Sequence, residues 1–150
     1  MPVEFRVQQV DHVEVFVPDR DEAAAWYGRV LGLSRVASAE SWAADPAGPL
    51  MISSDDGNTM VALFSGTPQG AAAPIGFSRL AFRVDAAAFL DFVGRWEKSG
   101  VEENGVPLRI RDHTTAFSAY FTDPYGNALE VTTYEHEDVR RARRPGGRWT

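Results

Sequence analysis

The sequence predicts an α+β fold made of two tandem βαβββ modules, and three observations support this prediction. Each half of the chain contains runs with the two-residue alternation of strands around one stretch with helical spacing. Both halves follow the same order: a strand, a helix and three further strands. Turn-rich segments, residues 55–58 and 123–127, precede the last strand of each half. One such module cannot bury its sheet face alone, so we expect two copies curled as a mixed sheet around a shared cleft.

Module one, residues 8–66, opens with a strand over residues 8–17, in which His12 lies among alternating apolar residues. A helix follows, because Asp19 is a good N-cap and Glu22 stands three residues later, the spacing of a capping box. Gly32 ends this helix. Its aromatic residues, Trp26 and Tyr27, fit a core better than a pocket.

Three more strands complete module one, over residues 34–42, 50–54 and 59–65, separated by segments rich in proline, glycine and aspartate. Residues 67–75 then change in composition, with proline, glycine and three consecutive alanines. This stretch is predicted to be the linker between the modules.

Module two, residues 76–135, repeats the order. We expect a helix over residues 86–99 ended by Gly100, and the strands are predicted over residues 77–85, 108–113, 116–122 and 127–135. Residues 1–136 therefore read as a single domain. Residues 137–150 form an arginine-rich tail, which is either a frayed terminus or a segment that pairs with an acidic surface of the body or of a second subunit.

The composition excludes several classes of site and partner. The 150 residues are 44% hydrophobic and 24% charged, as in an ordinary globular protein. There is no cysteine, which excludes disulfides, thiolate nucleophiles and cysteine-bound zinc. The net charge of −6, together with a basic tail, leaves an acidic body that argues against nucleic acid as the main partner. With no leader pattern and no long apolar run, we expect a cytoplasmic protein without membrane contact.

The last turn and strand carry the most informative pattern. Asp123-Pro124-Tyr125-Gly126 is a strong turn sequence, and a strand follows it. Alternation places Glu130 on the face opposite to Leu129 and Val131, so an acid stands inside an apolar run. From spacing alone, Glu130 is either a solvated residue on an edge strand or a functional carboxylate.

This stretch resembles the last hairpin of the vicinal oxygen chelate superfamily, which includes glyoxalases, bleomycin-resistance proteins and extradiol dioxygenases. In that family a glutamate four residues after the glycine of D-P-x-G binds a metal, and Glu130 stands four residues after Gly126. His113 and Tyr120 resemble the histidine and tyrosine that precede the same turn in extradiol dioxygenases. The segment 26–33 also resembles the family's first helix end. The resemblance implies paired βαβββ modules around a divalent metal, which can be Fe, Mn, Zn or Ni.

The resemblance further implies four equivalent ligand positions, of which two match. His12 and Glu130 are the expected metal ligands, whereas Arg79 replaces a ligand histidine and the fourth position falls on Val61 or Ala62. A protonated arginine has no lone pair for a cation. We therefore expect a degenerate metal site, with no cofactor or with a weakly held divalent metal. Arg79 would then bind a carboxylate or phosphonate, or would only form an ion pair with Glu130.

Two further residues have candidate catalytic roles. His113 suits a general acid or base in the cleft, although a histidine at a strand end is commonly just solvated, and it could also be recruited as a third metal ligand. Tyr120 either packs in the sheet or directs its hydroxyl to a ligand. His136, in an acidic run, is expected to be exposed. Candidate substrate-contacting aromatic residues are Trp42, Phe64 and Phe117.

Three functions follow. The first is a metal-dependent enzyme of the dioxygenase, lyase or isomerase type that uses His12 and Glu130. The second is a metal-free protein that binds a small aromatic or anionic molecule, as bleomycin-resistance members do. The third is a metal-free enzyme in which Arg79 holds an oxyanion while His113 or Glu130 moves a proton. The family and the exposed sheet edges lead us to expect a homodimer.

Overall fold

The computed structural model describes residues 5–66, 78–104 and 107–143. The chain divides into two compact units, Met1–Ala72 and Ala73–Thr150. Each contains a four-stranded mixed sheet, and its strands and long helix follow the order β, α, β, β, β, so the α+β prediction with two βαβββ modules is confirmed. Short additional helices lie within the first unit and at the end of the second. The predicted linker at residues 67–75 lies outside the described residues.

The sheet of the first unit has the order β1-β4-β3-β2, with β1 parallel to β4 and the other pairs antiparallel. Helix α1 packs on the face that carries Val15, Val17, Ile52 and Leu63, all of which are buried. The elements are β1 (His12–Val17), α1 (Arg20–Leu31), β2 (Ser34–Arg35), α2 (Glu40–Ala43), β3 (Leu50–Ser53) and β4 (Met60–Ser65).

Both ends of α1 are formed as the sequence predicts. The Asp19 carboxylate accepts a hydrogen bond from the Glu22 backbone N–H at 3.0 Å, which satisfies a donor of the first turn. Gly32 has φ 69°, the left-handed conformation that ends many helices. Trp26 and Tyr27 are 4% and 0% exposed, so they belong to the core.

The predicted strand at residues 34–42 is wrong after its first two residues. β2 contains only Ser34–Arg35, and a 3₁₀ turn at Ala37–Ala39 then leads into α2. Residues 37–43 include three alanines and one glutamate, which favour helix over strand. The turn places Ala39 against Met51 and Ala62, where the three side chains form a small buried cluster.

The sheet of the second unit has the order β5-β8-β7-β6, again with one parallel pair, β5 with β8. One face is apolar and lies under α3, where Phe89 contacts Phe117 and Trp96 contacts Phe121. The elements are β5 (Leu80–Arg83), α3 (Ala86–Asn104), β6 (Arg109–Asp112), β7 (Phe117–Thr122), β8 (Ala128–Thr133) and α4 (His136–Ala142).

Two predictions about helices of this unit are corrected. Helix α3 does not end at Gly100 but continues to Asn104, because one helical glycine costs only about 1 kcal/mol and helix-compatible residues follow it. The first part of the expected frayed tail is helix α4, whose Val139 is fully buried. Burial of an apolar side chain gives this segment a reason to be ordered.

No helix within the described ranges is long and apolar enough to cross a membrane.

Candidate functional site

The second sheet has a polar face opposite the one that α3 covers. The ladder places Glu130 directly between Ala81 of β5 and Tyr120 of β7, and it places Arg109 of β6 opposite Tyr120. One row further along the strands, Arg83, Thr132, Ser118 and Arg111 stand side by side in the same way. Since side chains alternate along each strand, all of these residues share one face. We call this set, together with Arg79 and His113, the polar face.

Arg79, Tyr120 and His113 are in sequential contact on the polar face. The Arg79 guanidinium carbon lies 4.3 Å from the ring centroid of Tyr120, a cation–π contact. The Tyr120 hydroxyl lies 2.7 Å from the His113 Nε2, a hydrogen bond in which either group can donate. A fixed positive charge therefore adjoins a phenol that shares a proton with an imidazole.

An open groove of about 440 Å³ lies at this contact. Its lining includes Arg79, Arg109, Tyr120 and Thr122. The Arg109 guanidinium carbon is 5.6 Å from the same Tyr120 centroid, so two cations flank one aromatic ring. A groove with this lining suits a small molecule that carries negative charge.

The turn before β8 sets the register of Glu130. The buried Asp123 carboxylate accepts hydrogen bonds from the backbone N–H groups of Tyr125 and Asn127, both at 2.9 Å. Gly126 has φ 92°, a conformation that side-chain-bearing residues rarely adopt. The turn sequence therefore fixes where the strand begins and on which face Glu130 lies.

Glu130 is half-buried on a central strand, so the interpretation as an edge-strand residue is wrong. The alternative of an Arg79–Glu130 ion pair is also not formed: among the described residues, no cation lies within 4 Å of the Glu130 carboxylate. Glu130 thus stands on the polar face as an acid beside Tyr120.

In the first unit, the equivalent face carries His12. The His12 Nδ1 lies 2.8 Å from an Asp11 carboxylate oxygen, and its Nε2 lies 3.9 Å from Glu14. Glu14 pairs with Ala62 across the parallel ladder, as Ala81 pairs with Glu130 in the second unit. This register decides between Val61 and Ala62: the position equivalent to Glu130 is Ala62, which has no metal-binding atom.

Glu14 was missed as a neighbour of His12. The strand pattern indicates it, because residues two apart on a strand share a face. Its carboxylate is 53% exposed and lies 3.9 Å from the His12 Nε2. Even so, no group of three or more histidine, aspartate or glutamate side chains suited to a metal ion occurs in the described parts of the chain.

The three aromatic candidates have different surroundings. Trp42 is 52% exposed on α2, and Phe64 is half-buried with its ring stacked on Phe16 at 5.6 Å. Phe117, in contrast, is fully buried on the apolar face between Phe89 and His136. Phe117 and Tyr120 are three residues apart on β7, so their side chains lie on opposite faces of the sheet. The structure therefore places Phe117 in the core and not on the polar face.

His136 is not the exposed residue that the acidic run suggests. Its side chain is only 12% exposed, its ring stacks on Phe117 at 4.7 Å, and its Nε2 lies 2.7 Å from Asp112. The Thr114 backbone N–H and His136 both stabilise the Asp112 carboxylate and lower the pKa of Asp112 below its ordinary value. This contact joins α4 to β6 on the side away from the polar face.

The model of the Glyoxalase/Bleomycin resistance protein/Dioxygenase superfamily matches residues 9–131 of the chain. No curated protein matches the chain.

Solved structures with the same fold are numerous. A glyoxalase family protein from Bacillus anthracis has 20% identity and a TM-score of 0.62, covering 88% of this chain and 99% of its own. A glyoxalase/dioxygenase from Nostoc punctiforme has 23% identity and a TM-score of 0.62, with 88% and 98% coverage. The oxidase ChaP-H2 has 23% identity and a TM-score of 0.59, with 98% coverage of both chains. At these identities the likeness shows a shared fold.

Proposed function

Because the chain belongs to the Glyoxalase/Bleomycin resistance protein/Dioxygenase superfamily, we propose that it binds a small organic anion on the polar face of its second unit and exchanges a proton with it. The observation that carries this proposal is the sequence of contacts from Arg79 to Tyr120 to His113. It joins a permanent cation and a phenol, which both line the groove, to an imidazole that is hydrogen-bonded to the phenol.

Each of the three groups has a distinct task in this proposal. Arg79 attracts and orients the anionic group, since a guanidinium can donate two parallel hydrogen bonds to a carboxylate. The Tyr120 hydroxyl donates to the bound molecule or accepts from it, and His113 returns or removes the proton through their 2.7 Å hydrogen bond. The ligand class is an aromatic or 2-oxo carboxylate, whose acidic group would be bound by Arg79 and Arg109 in the lining of the groove.

A metal centre of the family type does not fit the donor set. The four ligand positions that the family resemblance implies fall on His12, Ala62, Arg79 and Glu130, and two of these side chains can donate an electron pair to a cation. Catalytic zinc and non-haem iron sites normally use three protein ligands. The proposed proton exchange therefore does not depend on a metal.

A metal-dependent enzyme that uses His12 and Glu130 is the second candidate, and one observation favours it. The His12 Nδ1 is held by Asp11 at 2.8 Å, the arrangement that orients most metal-binding histidines. Elemental analysis of tag-free protein, before and after dialysis against Fe(II), Mn(II) and Zn(II), separates the two candidates. Near-stoichiometric metal that is lost in His12→Ala would favour the second.

Binding is tested by titration calorimetry with benzoate. We expect Arg79→Gln to weaken binding roughly 10- to 100-fold, the effect of losing charge-assisted hydrogen bonds. Arg95→Gln is the matched control, because it removes the same charge from the exposed side of α3. Equal affinity in wild type and Arg79→Gln would contradict the proposal.

Proton exchange is tested with phenylpyruvate, an aromatic 2-oxo acid, in D₂O. The protein should catalyse exchange of the C3 protons, which NMR detects: a C3 proton leaves to the protein and a deuteron returns. Tyr120→Phe and His113→Gln should each reduce this rate at least tenfold while benzoate still binds. Unchanged rates in both variants would leave binding as the only function of the groove.

A further inference from the structure

The polar face holds more positive charge than one anionic group requires. Besides Arg79, it carries Arg83 on β5 and Arg109 and Arg111 on β6, against the single carboxylate of Glu130. The whole chain has a net charge of −6, so this concentration of arginine runs against its overall composition. Charge of one sign on one face attracts ligands of the other sign.

Three of these arginines have no acidic partner among the described residues. Within the described part of the chain, no carboxylate lies within 4 Å of Arg83, Arg109 or Arg111. Elsewhere in the same chain, Arg35, Arg95 and Arg140 each make an ion pair at 2.7–2.9 Å. In a chain with 21 acidic residues, Arg83, Arg109 and Arg111 thus differ from these three ion-paired arginines.

The register divides the polar face into two rows. In the first, Arg109 lies opposite Tyr120, beside the groove already described. In the second, Arg111 lies opposite Ser118, whose hydroxyl is 3.0 Å from that of Thr132, and Arg83 lies on the far side of Thr132. The Thr132 hydroxyl also donates to the Phe117 carbonyl at 3.2 Å, and Ser118 is buried, so both hydroxyl groups are already engaged. The guanidinium groups of Arg83 and Arg111 are therefore the donors that this row offers to an anion.

Arg83 is held in place within this second row. Its guanidinium carbon lies 4.5 Å from the ring centroid of Tyr134, as that of Arg79 does from Tyr120 at 4.3 Å. Both contacts stack an arginine on a tyrosine, and β6 carries a further arginine in each row. The repetition indicates two anion positions of the same kind.

We infer that the ligand is an organic dianion, with one acidic group at Arg79 and Arg109 and the other at the second row formed by Arg83 and Arg111. This inference rests on the proposed function and adds the number and spacing of the ligand's charges. Arg109 and Arg111 are two residues apart on one strand, which corresponds to about 7 Å. An aromatic ring with acidic groups at its opposite ends fits that spacing.

Terephthalate and benzoate are the matched probes, since they share one ring and differ by one carboxylate. Wild type should bind terephthalate at least tenfold more tightly than benzoate. Arg111→Gln and Arg83→Gln should each reduce this ratio to less than threefold. Arg95→Gln should preserve the ratio.

The outcomes separate the inference from the proposed function. If benzoate binds in an Arg79-dependent way but terephthalate binds no more tightly, the second anion position is wrong and the proposed function stands. If the ratio stays above tenfold in both Arg111→Gln and Arg83→Gln, the second charge is bound elsewhere and the inference is also wrong. If neither compound binds to folded wild-type protein, both are wrong.

Discussion

The guanidinium carbon of Arg79 lies 4.3 Å from the ring centroid of Tyr120. Arg79 occupies a position where relatives carry a metal-binding histidine, as the sequence resemblance implies. Its contact in this chain joins it to Tyr120, and through that residue's hydroxyl to His113. The position of Arg79 binds a metal cation in relatives, whereas an arginine there suits an anion. The first prediction reverses this difference.

Replacing Arg79 with histidine should create metal binding. In the ligand set that the sequence resemblance implies, Arg79→His would add a third donor to His12 and Glu130, and three protein ligands are usual for a catalytic zinc site. We expect the metal content after dialysis against Zn(II) to rise from well below one ion per chain to near one, measured by elemental analysis. Arg79→Gln, which removes the charge without adding a strong ligand, is the control and should stay low. The prediction fails if Arg79→His binds no more metal than Arg79→Gln.

Asp112 should stabilise the protein in a pH-dependent way. Its carboxylate accepts from the Thr114 backbone N–H at 2.8 Å and contacts His136 at 2.7 Å, and both lower its pKa in the folded state. Because the folded pKa is below the unfolded value of about 3.9, this stabilisation is fully present above that pH and is lost as the pH falls through the folded pKa.

Thermal unfolding checks this directly. Asp112→Asn should lower the melting temperature at pH 6 and should differ progressively less from wild type as the pH falls below 4. Asp138→Asn, on the exposed side of α4, is the control. An Asp112→Asn deficit that is constant from pH 6 to pH 2.5 would mean that the carboxylate charge is not responsible.

Gly48 should tolerate no side chain. A Cβ at this position would meet the Trp42 carbonyl oxygen at 2.3 Å and the Asp45 carbonyl oxygen at 3.3 Å. Backbone must move to admit it, so Gly48→Ala should reduce the free energy of unfolding by about 1–3 kcal/mol in urea titrations. Gly94→Ala in α3 meets nothing within 4 Å and should instead be neutral or stabilise by up to about 1 kcal/mol. Equal effects of the two changes would refute the steric explanation.

Arg20 should be needed as arginine and not only as a cation. Its guanidinium donates to the backbone carbonyls of Ala43 at 2.9 Å, Asp45 at 3.1 Å and Gly48, and so fixes the loop after α2. Lysine has one nitrogen and cannot reach all three acceptors. We expect Arg20→Lys to cost about 1–3 kcal/mol of stability, whereas Arg95→Lys, at an exposed ion pair, should change it by less than about 0.5 kcal/mol. A stability of Arg20→Lys equal to wild type would show that the loop is held by other contacts.

Sequence reasoning identified the elements with the strongest local signals. The Asp19 cap, the Gly32 terminus and the turn at residues 123–127 all form as predicted, because their hydrogen bonds join residues within a few positions of one another. It failed at residues 36–43 and after residue 135. There the decisive interactions are burial of Ala39 against β3 and β4 and of Val139 within the second unit, which no local pattern reveals.

The residues of the site show the same difference between what local patterns predict and what only strand pairing decides. Alternation along β8 was enough to place Glu130 on the face away from Leu129, but not to show that β8 is central or that no cation pairs with Glu130 among the described residues. Arg109 and Arg111 were missed as site residues. Their alternation with Ile110 indicates that both arginines lie on one face of β6. Only the pairing of β6 with β7, which sets Arg109 opposite Tyr120, shows that this face is the one with Tyr120 and Glu130.

The sequence by itself determined the family, the duplicated βαβββ order and the residue types available for chemistry, because composition, turn residues and strand alternation are local properties. Only the tertiary structure decided which of those residues meet. Ladder registers selected Ala62 over Val61, moved Phe117 into the core, and brought Arg79, Tyr120 and His113 into contact from three separate segments. Registers depend on pairing between residues far apart in the chain, so a one-residue shift that leaves the sequence pattern equally plausible would place every side chain on the other face.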